Sequence, residues 1–213
     1  VTAGGTREFL DPVRFLGNRS SGRQGYAIAS AAAVRGATVT LIAANSALAA
    51  PAGVDVVSVV TTEEMRQATL TAAARADAIV MAAAPADFRP VHVADAKMKK
   101  ADDGTSPSIE LEQNPDILVE LVRNRVNPSQ VIVGFAAETG DVYGSVLEHA
   151  QAKFTRKGCD LLVVNDVGSE KVFDQLDNEV TILSANAQPV SVPKASKSTV
   201  AHAIVDELVQ RLK

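Results

Sequence analysis

Runs of aliphatic residues alternate with helix-like segments along this chain, and that alternation constrains its fold more than any other feature. TVTLIA at 38–43, DAIVMAA at 77–83 and DLLVV at 160–164 have the continuous apolar character of strands buried on both faces. Strands that alternate with helices predict a mainly parallel, doubly wound sheet. Two later runs, at 178–184 and 189–192, resemble a hairpin or meander and predict an antiparallel extension.

The composition supports one sizeable core and excludes some kinds of partner. The chain is 46% hydrophobic with 4% aromatic residues and no Trp, so the core must be aliphatic. A net charge of −4 argues against a general nucleic-acid surface, although a local basic site remains open. Cys159, the one cysteine, has no internal partner, which is compatible with a reducing cytosol. No apolar run has the length of a membrane span, so we expect no membrane partner.

A long glycine-rich segment, 4–25, follows the first strand at the edge where ligands of open α/β sheets bind. It contains GNRSSGRQG ahead of a helix predicted from Tyr26. Glycines let backbone N–H groups approach a phosphate, and a helix N-terminus favours negative charge. Ser20, Ser21 and Gly22 are therefore a candidate phosphate cradle. A loop whose glycines only make turns is the alternative, and the pattern is neither a Walker A loop nor GxGxxG.

The loop AAAPADFRP leaves the strand at 77–83 and combines small residues with an aspartate. Ala82 to Ala84 would let a flat ring lie against the backbone, whose polar groups could read a base edge. Asp87 could accept a hydrogen bond from a sugar hydroxyl or help to hold a metal. A turn or a helix-capping aspartate is an equal alternative.

Cationic side chains gather in the loops and helices of the same edge. In KMKK, Lys97 and Lys99 share one side of an extended segment and suit a flap closing on polyphosphate, with a solvated charged face as the alternative. Lys153 and Lys157 are four residues apart on a helix predicted over 142–157, where like charges repel unless an anion or water separates them. Phe135 is either core or a platform for a base.

With these lysines, the other cations of the edge predict a small ligand that carries several negative charges, such as a nucleoside triphosphate beside a phosphorylated acid. They are Arg14, Arg19, Arg23, Lys100 and Arg156.

Eight motifs then follow one another across nearly the whole chain: TAGGTRE, DPVRFLGNRSSGRQG, MAAAPADFRP, KMKK, QNPDI, VGFAAET, RKGCDLLVVNDV and NEVTIL. In this order they resemble the bacterial phosphopantothenate–cysteine ligases. Those enzymes are the synthetase half of a bifunctional coenzyme A biosynthesis protein whose other half is a flavin-dependent decarboxylase. The resemblance implies a single synthetase domain over 1–213, with a Rossmann-like sheet and no flavin. It further implies a cytoplasmic homodimer paired through the late antiparallel strands, and a covalently linked decarboxylase domain in the full-length protein.

The resemblance also implies a two-step ligation. The carboxylate of 4′-phosphopantothenate attacks the α-phosphate of CTP, which releases pyrophosphate and leaves an acyl-cytidylate. The amine of L-cysteine then displaces CMP and forms the amide. Bringing these anions together requires cations and Mg²⁺, which the triphosphate itself would mainly hold.

Residue roles are implied by matching the motifs. Asn18 would hold the acyl intermediate and polarise its carbonyl, and Lys97 would neutralise the triphosphate while its α-phosphate is attacked. Lys99 and Lys100 would support closure of the flap, and Arg14 would bind the phosphate of phosphopantothenate, which in the implied dimer it could reach from a neighbouring subunit. The implied CTP-binding positions are Ser20, Ser21, Gly22, Met81, Ala82, Ala83, Asp87, Lys97, Asn114, Pro115, Asp116, Ile117, Phe135, Lys153 and Lys157.

Two functions of other kinds stay open at this point. An NAD(P)-dependent reductase would have the same kind of sheet, but it requires a GxGxxG turn after the first strand, which is missing here. A non-catalytic nucleotide-binding module would explain the cradle but not the additional lysines and Asn18.

Overall fold

The computed structural model describes residues 1–100, 104, 106–138, 145–166 and 177–212. Its strands, in chain order, are β1 (Thr2–Gly4), β2 (Glu8–Phe9), β3 (Phe15–Leu16), β4 (Val39–Ala44), β5 (Val54–Val59), β6 (Ala78–Met81), β7 (Phe88–Pro90), β8 (Leu111–Gln113), β9 (Val131–Glu138), β10 (Leu161–Asp166), β11 (Asp177–Ser184) and β12 (Val190–Ser196). Its helices are α1 (Arg23–Val34), α2 (Thr62–Ala73), α3 (Ile117–Arg123), α4 (Val146–Lys157) and α5 (Lys197–Val209).

Eight strands form the central sheet in the order β12-β11-β10-β9-β6-β1-β4-β5. Six neighbouring strands of this sheet pair in parallel: β10, β9, β6, β1, β4 and β5. β11 pairs antiparallel with both β10 and β12. The chain runs outward from β1 to β4 and β5, and then returns to the other side of β1 at β6. That reversal creates a ligand-binding crevice in open sheets of this kind. The predicted fold class, a mainly parallel doubly wound sheet with a late antiparallel extension, is confirmed.

Helices cover both faces of the sheet over an aliphatic core. α1 and α5 pack on one face, and α2, α3 and α4 pack on the other. Successive residues of β10 point alternately to the two faces. Leu161 and Val163 belong to the core under α1 and α5, and Leu162 and Val164 belong to the core under α2, α3 and α4. Cys159 is buried just before this strand, and burial raises the pKa of its thiol to about 11.

Two small hairpins lie outside the central sheet. β2 pairs with β3 inside the segment 4–25, and β7 pairs with β8 across the polar stretch after β6. The sequence predicts a mobile polar stretch from Pro85 to Ser108, and the structure places a short strand, Phe88–Pro90, near its start. Both hairpins lie next to the carboxyl edge of the parallel strands and shape its loops.

The first residues of α1 and α4 can be compared with the helices predicted from the sequence. α1 begins at Arg23 rather than Tyr26, because Gly22 adopts a left-handed conformation (φ 72°) and lets the helix start directly after it. α4 begins at Val146 with Ser145 as its N-cap, and the part of the predicted helix at 142–144 lies outside the described residues. In the described ranges, no helix is both long and apolar enough to cross a bilayer.

Candidate active site

A crevice of about 950 Å³ opens where the chain reverses between β1 and β6. Its walls come from segments 19–25, 81–88, 113–118 and 135–137, and from isolated residues of later elements: Lys153, Arg156, Lys157, Leu162, Asn165, Asn178 and Lys197. Loops that are far apart in the sequence therefore meet at the carboxyl edge of the sheet, as the doubly wound topology requires.

The N-terminus of α1 lies in the wall of this crevice without a capping side chain. Gly22 is its N-cap, and no acidic residue lies in its first turn. The other helices in the described part of the chain are each capped by a hydroxyl or carboxylate: Thr61, Asp116, Ser145 and Ser196. The first N–H groups of α1 are thus left for a ligand, and the positive end of the helix dipole favours an anion there.

The alanines after β6 form a part of the crevice wall that is held by hydrogen bonds to β1 and has short side chains. Ala83 N–H donates to Thr2 Oγ1 at 3.1 Å, and Ala84 N–H donates to the Gly4 carbonyl at 2.8 Å. These bonds fasten the loop to β1. Because the side chains end at Cβ, a planar group can approach the backbone closely.

Asn114 is fixed by a polar network that the sequence did not reveal. Its Nδ2 donates to the Ala86 carbonyl at 2.9 Å, while its Oδ1 is buried and has no hydrogen-bond partner within the described residues. Behind it, Glu8 Oε1 accepts from the N–H and the hydroxyl of Thr62 at 2.9 and 2.7 Å. Thr6 and Thr62 share a hydrogen bond of 2.8 Å. Asn114 lines the crevice, so this network fixes a part of its wall.

A lysine and an aspartate link α3 to α4 beside the crevice. Asp116 caps α3 by accepting from Val119 N–H at 3.1 Å, and its other carboxylate oxygen pairs with Lys157 Nζ. The repulsion expected between Lys153 and Lys157 is thereby reduced by a protein carboxylate. The sequence singled out both residues of this pair but did not predict that they contact each other.

Five predicted site residues lie outside the crevice wall. Asn18 is closest, because its Nδ2 donates at 2.8 Å to the carbonyl of Pro85, which lines the crevice. The guanidinium of Arg14 pairs with Asp11 at 2.6 Å. Lys97, Lys99 and Lys100 are exposed on the segment beside it. All the other implied CTP positions line the crevice together.

No group of three or more His, Cys, Asp or Glu side chains suited to a metal occurs in the ranges that the structure describes. Asp87 and Asp116 nevertheless bring two carboxylates to the crevice wall. Because Asp116 already accepts from Val119 N–H and pairs with Lys157, Asp87 is the carboxylate that fits an Mg²⁺ ion taking most of its ligands from a polyphosphate.

Comparison with known proteins identifies a family for the chain. The model of the DNA/pantothenate metabolism flavoprotein C-terminal domain matches residues 1–212. The chain is 53% identical over 214 residues to the coenzyme A biosynthesis bifunctional protein CoaBC of Mycobacterium tuberculosis. The match covers 98% of this chain and 51% of that protein. It thus spans about half the length of that relative.

Solved structures are similar over nearly the whole chain. The crystal structure of the C-terminal domain of CoaBC superposes with a TM-score of 0.81 at 34% identity, covering 99% of this chain and 93% of the other. Cab2 mutant H337A, in complex with phosphopantothenate-cysteine, gives a TM-score of 0.78 at 18% identity, over 99% of this chain and 84% of the other, a likeness of fold alone. The chain belongs to the family of the DNA/pantothenate metabolism flavoprotein C-terminal domain.

Proposed function

We propose that this chain is a synthetase domain that joins 4′-phosphopantothenate to L-cysteine, with conversion of CTP to CMP and pyrophosphate. The observation that carries the proposal is the uncapped N-terminus of α1 in a crevice that also holds Lys153, Arg156 and Lys157. That arrangement suits a polyphosphate better than a neutral ligand. The similarity to the C-terminal domain of CoaBC, at 34% identity, supports the reaction.

In the first step, the nucleotide is held and its charge balanced. The backbone N–H groups at Ser20, Ser21 and Gly22 would bind phosphate oxygens, and Lys153 and Lys157 would lie near the same charge. The pantothenate carboxylate attacks the α-phosphorus, the bond to the β-phosphate oxygen breaks, and pyrophosphate leaves. Lys97 is proposed to stabilise the negative charge that builds up during this attack.

In the second step, the acyl-cytidylate reacts with cysteine. The cysteine nitrogen attacks the acyl carbon, CMP leaves with the bridging oxygen, and the nitrogen loses its proton. The Asn18 amide carries two N–H donors, one of which binds the Pro85 carbonyl. The second is proposed to donate to the acyl carbonyl and to stabilise its developing negative charge.

A bound Mg²⁺ would supply Lewis-acid stabilisation of the phosphates, with Asp87 as its candidate protein ligand. Arg14, Lys99 and Lys100 are proposed to bind the phosphopantothenate, and the remaining wall positions are proposed to surround the nucleoside. They are Met81, Ala82, Ala83, Asn114, Pro115, Ile117 and Phe135.

The assembly around the domain is also a proposal. β12 is an edge strand of the central sheet, and edge strands pair readily with a second chain, which supports the homodimer through the late strands. The relatives' bifunctional name and the half-length match support a single synthetase domain over 1–213 linked to a decarboxylase domain. We infer that it acts in the cytoplasm on small molecules, with no flavin in this domain.

An omission assay tests the reaction. Pyrophosphate and CMP are measured with CTP, phosphopantothenate, cysteine and Mg²⁺, and then with each left out in turn. We expect pyrophosphate release to require CTP and phosphopantothenate, and CMP release to require cysteine as well. ATP and GTP in place of CTP test the base. No pyrophosphate with all components present would overturn the ligase, and tight binding of NADPH would then favour a reductase.

A further inference from the structure

A fully buried carboxylate lies at the turn between β2 and β3 and has no part in the steps above. Asp11 has a side-chain exposure of 0%. Its Oδ1 accepts from the backbone N–H groups of Val13 and Arg14, both at 2.8 Å. Its Oδ2 accepts from Nε and Nη2 of Arg14 at 2.9 and 2.6 Å. Although burial by itself would raise it, the hydrogen bonds from Val13 and Arg14 hold the pKa of Asp11 well below its usual range, so the group is a carboxylate at neutral pH.

The same ion pair grips the lysine segment, defined here as residues 97–100. Met98 N–H donates to Asp11 Oδ2 at 3.1 Å, and the Met98 carbonyl accepts from Arg14 Nη2 at 2.6 Å. Both backbone polar groups of Met98 are therefore bound by one Asp–Arg pair. Lys97 and Lys99 on either side are exposed, while Met98 is half-buried. The backbone is fixed at the residue between the two lysines.

The turn that holds Met98 continues directly into the loop that carries Asn18. From Arg14 the chain passes through β3 and reaches Asn18, whose amide is anchored on Pro85 at the crevice. A backbone hydrogen bond of 3.0 Å, from Ala94 N–H to the Leu10 carbonyl, also connects this turn to the residues just before the lysine segment. The position of the lysine segment relative to Asn18 is thus set by protein contacts.

We propose that Asp11 is a positioning residue, which acts through Met98 to place Lys97 and Lys99 relative to Asn18. The inference rests on the proposed function for the role of Lys97, but the contact with Met98 stands independently of it. The ammonium groups of lysines are mobile, and the usefulness of one at a reacting phosphate depends on where its backbone is held.

The Asp11→Asn substitution distinguishes the contacts of Asp11 within the turn from its contact with Met98. An Asn side chain has one acceptor oxygen, which can keep the bonds to Val13 and Arg14 N–H and so preserve the turn. Its NH₂ group cannot accept from Met98 N–H or from the Arg14 guanidinium. The variant therefore removes the bond to Met98 N–H and the ion pair that orients Arg14 toward the Met98 carbonyl, with limited change to the hairpin.

Kinetics of pyrophosphate release test the coupling to Lys97. Asp11→Asn should lower kcat by up to about 100-fold, with a change in the KM for CTP below about threefold. If Asp11 acts through Lys97, then adding Asp11→Asn to Lys97→Gln should cost less than a further factor of about three. Losses that multiply in the double variant, or a fall in kcat no larger than the fall in folded protein, would overturn the inference.

Hydrogen exchange gives a test that needs no activity. Asp11→Asn should speed exchange in a peptide covering residues 94–100 by about tenfold. Asp160→Asn is the matched control, because Asp160 also pairs with an arginine, Arg125, and accepts from a backbone N–H, that of Ile132 at 2.7 Å, at the amino ends of the strands.

The control should leave exchange at 94–100 unchanged. Unaltered exchange there in Asp11→Asn would overturn the inference whatever the enzyme does. Faster exchange in a chain whose wild type releases no pyrophosphate would support the Met98 contact and place the failure with the proposed reaction.

Discussion

Lys157 on α4 pairs with Asp116, the residue that caps the N-terminus of α3. Before any nucleotide binds, the lysine charge is therefore already compensated by a carboxylate in the crevice wall. A polyphosphate that enters must share this lysine with Asp116 or take it over, because both are acceptors for the same ammonium group.

Replacing Lys157 with Gln should weaken CTP binding more than it weakens the fold. Partly exposed ion pairs contribute at most about 1 kcal/mol, so the free energy of unfolding should fall by less than that. Loss of a cation beside the triphosphate should raise the KM for CTP about tenfold. Urea unfolding and steady-state kinetics measure the two effects. Arg75→Gln, which removes an exposed charge after α2, should change neither, and a KM unchanged in Lys157→Gln would contradict the role of Lys157.

Asn18→Ala and Lys97→Gln should affect different steps. Without Lys97, attack on the α-phosphate loses charge stabilisation, so pyrophosphate release should slow by about 100-fold or more. Without Asn18, pyrophosphate should still be released in a single turnover while amide formation slows by a similar factor. Rapid-quench measurement of pyrophosphate and of the amide product separates the steps, and equal slowing of both in Asn18→Ala would contradict its assignment.

Gly22→Ala should impair nucleotide binding through the backbone. Gly22 and Gly36 both have positive φ, 72° and 87°, and a side chain there costs about 1–2 kcal/mol of stability. A Cβ on Gly22 would also lie 3.3 Å from the nitrogen of Gly4, whereas one on Gly36 meets nothing within 4 Å. We expect both variants to be destabilised in thermal unfolding, Gly22→Ala more than Gly36→Ala, but a raised KM for CTP only in Gly22→Ala. The same KM in both variants would show that the start of α1 is not part of the nucleotide site.

Asp11 should make stability depend on pH in acid. Its pKa is depressed in the folded chain and has its ordinary value of about 3.9 in the unfolded chain, so the unfolded chain binds the proton first. The stability that Asp11 contributes is therefore present above about pH 4 and is lost as the pH falls towards the folded pKa. The difference in unfolding free energy between wild type and Asp11→Asn should be largest near neutrality and shrink in acid. Denaturant titrations across this range measure it, and a difference that grows in acid would refute the sign.

The strands could be predicted from the sequence because their signal is local. The aliphatic run predicted as a strand at 38–43 corresponds to Val39–Ala44 in the structure. The run predicted at 160–164 corresponds to Leu161–Asp166, which begins one residue later. Buried parallel strands must be apolar on both faces, so the signal for each strand lies within its own short run of residues. The grouping of the wall segments then follows from the parallel order of the strands.

The hairpins and the buried acids could not be predicted in the same way. Phe88 in β7 pairs with Gln113 in β8 across a polar stretch, a non-local contact between strands of three residues each. Asp11 and Glu8 are acids, and acids usually lie at the surface unless partners compensate them. The partner of Glu8, Thr62, comes from a distant helix. Only the spacing of Asp11 and Arg14 around a proline offered a local signal for the turn.

The crevice wall draws on residues from Arg19 to Lys197, so a bound molecule would contact parts of the chain that lie far apart in the sequence. Because these parts come together only in the folded chain, such a molecule should bind the native state alone. Its occupancy should therefore raise the melting temperature of the domain rather than the rigidity of one loop.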